Sequence, residues 1–283
     1  MISATNKTKF FGIFGTPIAH TISPAMHSFL AEKYGLDMAY LAFDVSQDRL
    51  DEAVLGAKAM GACGFNITAP HKINIMKHLD VLCPDAVLMN AVNTIVNKNG
   101  VWHGFNTDGN GFCQSLILEG CEIKNKNILM LGAGGSARSL CYMLAKHGAN
   151  SISMDSRTLE KIRVIGDMVR AHSNTEFFET VDRDKDYDII INTTPVGMHN
   201  SESGNPCKFM DKVHSGVTCV DIIYNPKKTL FLKEAEEKGA RIINGLGMLV
   251  CQGILAFEHF QDLTLNHKEC YEELMKLFKE HRI

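Results

Sequence analysis

The stretch from Lys126 to Ala149, KNILMLGAGGSARSLCYMLAKHGA, decides the fold of this protein. A short apolar run precedes a cluster of glycines, and a helical pattern follows them. The order strand, glycine-rich turn, helix is typical of the GxGxxG/A motif, whose turn lets backbone N–H groups approach a pyrophosphate. We therefore predict dinucleotide binding at Gly132, Ala133, Gly134, Gly135, Ser136 and Ala137.

Short apolar runs alternate with amphipathic stretches on both sides of this turn, which is typical of an α/β fold with parallel strands. Strands are predicted over residues 9–15, 39–45, 64–68, 151–156, 188–194, 218–224 and 241–246. Two further strand-like runs flank Asn99-Gly100, a strong hairpin signal. Helices are predicted over residues 23–35, 48–61, 109–120 and from Met248 onward. A second α/β domain is predicted to begin near residue 109.

The composition excludes several classes of protein. The 283 residues include 29 Lys and Arg and 32 Asp and Glu, which gives a net charge of -3. This charge does not indicate a protein that binds nucleic acid or an anionic membrane. No apolar run reaches the roughly 18 to 20 residues of a membrane span, and no signal peptide is evident. We expect a cytoplasmic protein with reduced cysteines. The nine cysteines and twelve histidines show no metal-ligand spacing, so no metal site is expected.

Polar residues follow or precede the predicted strands of the first half, where open α/β sheets bind their ligands. These neutral groups, one cation and one anion suit a small polyhydroxylated substrate. Each of these polar residues could instead have a purely structural role. Ser23 or Asp108 would then cap a helix, and Lys72 would be a solvated surface lysine. The candidates are Thr21, Ser23, Asn66, Thr68, Lys72, Asn93 and Asp108.

The strand after the glycine-rich turn ends in a segment that bears on the choice of cofactor. Asp155 fits a residue that would bind a ribose 2′-hydroxyl, as in NAD sites, whereas Ser156, Arg157 and Thr158 fit a 2′-phosphate, as in NADP sites. The segment modestly favours NADP and leaves NAD open.

Nine ordered motifs together cover nearly the whole chain and resemble those of the shikimate dehydrogenase family. They are GTPIAHTISPAMH, GFNITAPHK, NAVNT, GFNTDGNGF, GAGGSAR, SRT, NTTPVGM, DIIYNPKKTLFL and NGLGMLVCQG. The resemblance implies an N-terminal α/β substrate-binding domain and a C-terminal Rossmann NAD(P)-binding domain. It also implies that the C-terminal helices return to the first domain. The expected domains are 1–108 with 246–283, and 109–245.

The resemblance implies an NADP-dependent oxidoreductase that reversibly reduces 3-dehydroshikimate to shikimate, in chorismate and aromatic amino acid biosynthesis. It makes Lys72 the catalytic lysine and Asp108 its partner. The implied substrate-binding residues are Thr21, Ser23, Asn66, Thr68, Asn93, Tyr224 and Gln252. The implied cofactor-binding residues are the six of the Gly132–Ala137 turn, Ser156, Arg157, Thr158, Ile222, Gly245 and Met248.

A lysine is ordinarily protonated at neutral pH, and a neighbouring carboxylate favours its charged form. Lys72 is therefore expected to act as a general acid toward the developing alkoxide in the direction of reduction. In the reverse direction the neutral lysine would be the base, so oxidation should be favoured by higher pH.

Two departures from the family pattern keep alternatives open. Thr21 stands where serine is usual, and Ser156 stands where asparagine usually begins the phosphate-binding motif. The alternatives are a quinate/shikimate dehydrogenase that uses NAD or both cofactors, an aminoshikimate variant, and a non-catalytic dinucleotide-binding regulatory module. The sequence leaves open whether the protein is a monomer or a homodimer.

Overall fold

The computed structural model describes residues 5–198 and 202–280, and the chain divides into two units. The first unit comprises the chain through Thr107 and the chain from Gln252 onward, and the second comprises Asp108–Cys251. In the described part of the chain, no helix combines the length and apolar character of a membrane span.

The first unit contains a six-stranded mixed sheet with the order β2-β1-β3-β5-β6-β4 in the described residues. Its strands are β1 (Lys9–Gly15), β2 (Met38–Asp44), β3 (Gly64–Ile67), β4 (Val81–Leu82), β5 (Thr94–Lys98) and β6 (Val101–Phe105). Helices α1 (Ser23–Lys33), α2 (Leu50–Ala59) and α3 (Pro84–Met89) connect them. β1 pairs in parallel with β2 and β3, whereas β5 runs antiparallel to both β3 and β6.

This topology brings polar residues together at one edge of the first sheet, meaning the side at which the strands end and not an edge strand. The carboxyl ends of β1, β2 and β3 lie at the same edge because these strands are parallel. β5 runs the other way, so its start joins that edge, and the end of β6 does so as well. Asn66 accordingly pairs with Thr94, and Thr94 pairs with Phe105. The alternation of strand directions therefore brings together motifs that lie far apart in the sequence.

The predicted hairpin of the first unit is confirmed. Asn99 and Gly100 connect β5 to β6 with φ values of 55° and 89°. A two-residue turn with positive φ at both positions matches the twist of the flanking strands, which is why Asn-Gly is favoured there.

The second unit contains a parallel six-stranded sheet with the order β12-β11-β10-β7-β8-β9 in the described residues. Its strands are β7 (Asn127–Leu131), β8 (Ser151–Asp155), β9 (Glu176–Phe178), β10 (Ile189–Asn192), β11 (Thr218–Asp221) and β12 (Arg241–Ile243). Its helices are α4 (Asp108–Leu118), α5 (Gly135–Lys146), α6 (Leu159–His172) and α7 (Leu230–Glu237). The strand order is that of a Rossmann fold, whose ligands bind where the order reverses, between β7 and β10.

Two C-terminal helices complete the fold, α8 (Leu246–Gln261) and α9 (His267–Glu280). The ring of Phe260 on α8 lies 5.0 Å from that of Phe11 on β1. Lys33 on α1 forms 2.6 Å ion pairs with Glu269 and Glu273 on α9. The expected return of the C-terminal helices to the first domain is therefore confirmed.

Candidate active site

Thr21 and Ser23 lie at the edge of the first sheet described above, after β1 and at the start of α1. The hydroxyl of Thr21 donates a 3.2 Å hydrogen bond to that of Ser23, and the backbone N–H of Ser23 donates to Thr21 Oγ1 at 3.3 Å. Ser23 is the first residue of α1, and no side chain caps the helix. The two hydroxyls therefore form a local pair instead of the helix cap that was the alternative.

Asn66 is the buried centre of a hydrogen-bond network. The hydroxyl of Tyr40 donates to Asn66 Oδ1 at 2.7 Å, and Asn66 Nδ2 donates to the Asn93 carbonyl and to Thr94 Oγ1, both at 3.2 Å. A primary amide has two N–H hydrogens, so these two contacts use both of them. Asn66 therefore has no donor left over for a ligand.

The ring of His27 stacks on that of Tyr40 with centroids 4.1 Å apart and planes inclined by 10°. Burial lowers the pKa of His27 to about 3, while the neighbouring side chain of Asn66 acts in the opposite direction. Burial also raises the pKa of Tyr40 well above its ordinary value, against a smaller opposing effect of Ser23. Tyr40 therefore remains a hydrogen-bond donor across the physiological pH range.

Asn93 connects this network to Thr107 and Gln252, the two residues at which the chain leaves the first unit and returns to it. Its Nδ2 donates to Thr107 Oγ1 at 2.9 Å and to Gln252 Oε1 at 3.4 Å. Its Oδ1 accepts the backbone N–H of Thr107 at 2.8 Å. Two of the sequence-predicted substrate residues, Asn93 and Gln252, are thus brought into direct contact.

Lys72 and Thr68 lie in the segment that follows β3. The backbone N–H of Thr68 donates to the Phe14 carbonyl at 2.9 Å, and the Lys72 carbonyl accepts from Val92 N–H at 2.8 Å. Lys72 is partly buried. The segment is therefore tied to β1 on one side and to the residue preceding Asn93 on the other.

In the second unit, the glycine-rich turn follows β7 next to the end of β10. Gly132 has a φ of 99°, and a Cβ there would meet Thr193 Oγ1 at 2.8 Å. Thr193 Oγ1 donates to the Leu131 carbonyl at 2.7 Å. Gly132 is therefore required both by its backbone conformation and by the close approach of Thr193, which follows β10.

Gly134 and Gly135 differ from Gly132 because a Cβ at either position would meet no atom of the protein within 4 Å. Neither has a positive φ. Packing within the chain therefore gives no reason for glycine at these positions, whereas the close approach of a pyrophosphate would. Gly135 begins α5, whose unbonded N–H groups and positive dipole end suit an anion. The residues present thus fit a dinucleotide.

The segment Ser156–Thr158 connects β8 to α6. Arg157 has a side chain that is 90% exposed and lies 4.0 Å from Glu202, a weak surface ion pair. The Thr158 N–H is 3.5 Å from Ser156 Oγ, and Thr158 is the N-cap residue of α6. Two hydroxyls and an exposed guanidinium therefore follow the second strand of the Rossmann sheet, the position at which NADP-binding Rossmann domains in general accommodate the 2′-phosphate.

Asp221 was not singled out by the sequence, and it anchors the loop that carries Ile222 and Tyr224. Its Oδ1 accepts from Asn192 Nδ2 at 3.1 Å and from the Ile223 N–H at 3.0 Å. Its Oδ2 accepts from the Thr229 hydroxyl at 2.7 Å. The motif DIIYNPKKT contained the signal, because an aspartate that ends an apolar strand needs buried donors.

Of the remaining predicted residues, Tyr224 lies in this loop, and Gly245 and Met248 follow β12. A Cβ at Gly245 would overlap the Ile222 carbonyl, so only glycine fits there. Met248 lies in the first turn of α8. Burial raises the pKa of Tyr224.

Lys72 and Gln252 belong to the first unit, whereas Asp108 and Tyr224 belong to the second. Asp108 is buried at the start of α4. The catalytic pairing of Lys72 with Asp108 stays a prediction. Within the described residues, no group of three or more His, Cys, Asp or Glu side chains is arranged to hold a metal ion.

Comparison with known proteins gives a consistent assignment. The family model described as the shikimate dehydrogenase substrate binding domain matches residues 13–95. A shikimate dehydrogenase (NADP(+)) of Methanococcus aeolicus is 45% identical over 257 residues, which cover 89% of this chain and 92% of that protein.

Solved structures agree over nearly the whole length. The shikimate 5-dehydrogenase of Listeria monocytogenes, in complex with shikimate and NAD, is 34% identical with a TM-score of 0.86 and covers 97% of this chain and 99% of its own. A shikimate dehydrogenase in complex with NADP+ is 40% identical with a TM-score of 0.84. The match covers 96% of this chain and 97% of that one. With identity this high over nine-tenths of its length, the chain belongs to the shikimate dehydrogenase family.

Proposed function

We propose that this protein is an NADP-dependent shikimate dehydrogenase, which reversibly reduces 3-dehydroshikimate to shikimate. The observation that carries the proposal is the polar cluster of the first unit, in which Asn93 contacts Gln252 and Thr21 contacts Ser23. These hydroxyls and amides both donate and accept hydrogen bonds, as a ring with several hydroxyl groups and one carboxylate requires.

We assign proton transfer to Lys72. In the direction of reduction, its ammonium group would donate a proton to the alkoxide that develops at the reduced carbon, with Asp108 as its partner carboxylate. In the direction of oxidation, neutral Lys72 would accept the hydroxyl proton. The positive charge also stabilises the oxyanion before the proton arrives.

Substrate binding is assigned to Thr21, Ser23, Thr68, Asn93, Gln252 and Tyr224. We propose that Asn66 does not contact the substrate directly, because its two N–H hydrogens are donated to the Asn93 carbonyl and to Thr94 Oγ1. Asn66 would act on the substrate by orienting Asn93.

We assign cofactor binding to the second unit, and NADPH bound there would supply the hydride. The turn Gly132–Ala137 would hold its pyrophosphate, and Arg157 with Ser156 and Thr158 would hold its 2′-phosphate. Ile222, Gly245 and Met248 would lie along the remainder of the dinucleotide. All nine cysteines are free thiols, which favours a reducing compartment such as the cytoplasm.

The function is tested by following nicotinamide absorbance with shikimate or quinate as the substrate and NADP+ or NAD+ as the cofactor. We expect the highest kcat/KM with shikimate and NADP+. A higher kcat/KM with quinate and NAD+ would favour the quinate/shikimate dehydrogenase instead. No change in absorbance in any of the four combinations would contradict an enzymatic role and would favour a non-catalytic dinucleotide-binding module.

The role of Lys72 is tested by Lys72→Met, with Lys77→Met as the matched control. Both variants remove one lysine charge from the same segment, but Lys77 is exposed and pairs with Asp51. Because general acid–base catalysis contributes about 10² to 10⁴-fold, we expect kcat to fall by that factor in Lys72→Met alone. Near-normal turnover with unchanged substrate affinity would contradict the assignment.

A further inference from the structure

His71 immediately precedes Lys72 and is completely buried. A histidine beside a catalytic lysine would ordinarily be considered as a second acid or base. Here its Nε2 lies 2.7 Å from the Val45 carbonyl, so this nitrogen donates its hydrogen to the main chain. Nδ1 is also buried, and no described residue offers it a hydrogen-bond partner. A ring held in this way has no surface from which to exchange protons with a ligand.

The carbonyl that His71 binds belongs to a well-anchored peptide. Val45 follows β2, and its N–H donates to the Gly15 carbonyl at the end of β1 at 3.0 Å. The Val45 side chain packs in the apolar cluster that includes Ile67 and Ile75. His71 therefore connects its own segment to a fixed point in the sheet.

The segment itself is short and partly exposed, because Ala69 and Pro70 face solvent. His71 N–H donates to the Thr68 carbonyl at 3.0 Å, and Ile75 N–H donates to the His71 carbonyl at 3.0 Å. The side-chain bond to Val45 adds a contact to the residue that follows β2, which these local bonds do not provide. Fixing the backbone of His71 also fixes the origin of the Lys72 side chain.

We propose that His71 is a positioning residue for Lys72, which it holds in place through the hydrogen bond from Nε2 to the Val45 carbonyl. The proposal rests on the proposed role of Lys72. Small displacements of a catalytic group lower turnover strongly, because the reacting atoms must be held close and aligned.

Three substitutions separate the hydrogen bond from the volume of the ring. His71→Gln places an amide nitrogen as many bonds from Cβ as Nε2, so it keeps the donor. His71→Asn places its nitrogen where Nδ1 was, too short to reach Val45, and His71→Leu removes the donor. His78→Leu is the control, because His78 lies in the same part of the chain and pairs with Asp51.

We expect kcat to fall about 10- to 100-fold in His71→Asn and His71→Leu, and to stay within about 3-fold of wild type in His71→Gln and His78→Leu. The KM for NADP+ should not change. On a Lys72→Met background, His71→Asn should have little further effect, since it acts through Lys72. Equal losses in the Gln and Asn variants, or full additivity with Lys72→Met, would overturn the proposal.

Hydrogen exchange gives a readout that does not depend on activity. Backbone amides of residues 68–76 should exchange faster in His71→Asn and His71→Leu than in the wild type or His71→Gln. Unchanged exchange in all variants would also overturn the proposal. If Lys72→Met keeps its turnover while exchange changes as expected, the role of Lys72 fails and the anchoring by His71 stands.

Discussion

The hydroxyl of Tyr40 donates a 2.7 Å hydrogen bond to Oδ1 of Asn66, and both side chains are buried. The bond orients the amide of Asn66, because it directs Nδ2 toward Asn93 and Thr94. A tyrosine on β2 thereby affects a predicted substrate residue that precedes β5.

Tyr40→Phe should destabilise the protein by about 1 to 3 kcal/mol, because it leaves a buried carbonyl oxygen of Asn66 without this donor. The KM for shikimate should rise and the Kd for NADP+ should not. Tyr34→Phe is the control, since the Tyr34 hydroxyl lies 3.2 Å from Sγ of Cys270, and sulfur is a weak hydrogen-bonding partner. Denaturant unfolding and steady-state kinetics measure both effects, and equal stability of the two variants would contradict the prediction.

His27 should make the protein sensitive to acid. Burial lowers its pKa from 6.5 to about 3, so between these values the unfolded chain binds a proton that the folded protein does not. Its contribution to stability is therefore fully present above about pH 6.5 and is lost as the pH falls toward 3. His27→Phe keeps an aromatic ring against Tyr40 and removes the titration. Below about pH 6.5, its stability should rise relative to wild type by at most about 1.4 kcal/mol per pH unit.

Denaturant midpoints of wild type and His27→Phe across this pH range measure that difference. A difference that stays constant with pH would show that His27 does not titrate between the two states as its burial indicates.

Asp221 should have the opposite pH dependence. Burial raises its pKa, against the opposing hydrogen bonds from Thr229, Ile223 and Asn192, so the folded protein binds a proton more readily than the unfolded chain. Its contribution to stability is therefore greatest at acidic pH and falls as the pH rises through the folded pKa. Asp221→Asn should be most destabilising, relative to wild type, near about pH 4, and less so near neutral pH. A destabilisation that grows with rising pH, measured by denaturant unfolding, would contradict this sign.

Arg157 should determine the preference for NADP+. Hydrogen bonds to charged groups contribute about 1.5 to 3 kcal/mol, so Arg157→Ala should raise the KM for NADP+ by about 10- to 100-fold. The KM for NAD+, which has no 2′-phosphate, should not change. Arg163→Ala removes another exposed arginine, one that pairs with Glu179, and should change neither value. Parallel changes for both cofactors would argue against a 2′-phosphate contact.

The features that the sequence predicted best are those determined by neighbouring residues. The turn at Gly132 and the hairpin at Asn99-Gly100 depend on local backbone conformation, and both are confirmed. The strands Val81–Leu82 and Glu176–Phe178 were missed, because two or three residues are too few to show an alternating pattern.

The contacts that the sequence did not predict depend on strand register. Asp221 meets Asn192 because β10 and β11 pair with these two residues opposite each other. Tyr40 meets Asn66 across β1, which lies between their strands. The polarity of these residues suggested that they need partners, but only the order of the strands determines which partners they find.

The contact of Thr107 with Gln252 closes the first unit where the chain leaves it and returns to it. The Thr107 hydroxyl lies 3.1 Å from the Gln252 carbonyl, although 145 positions separate the two residues. The first unit therefore stops and resumes at adjacent points, and Asp108–Cys251 is an insertion into an otherwise continuous domain. A short linker in place of the insertion would span the gap, so the first unit is one domain built from two stretches that are distant in the sequence.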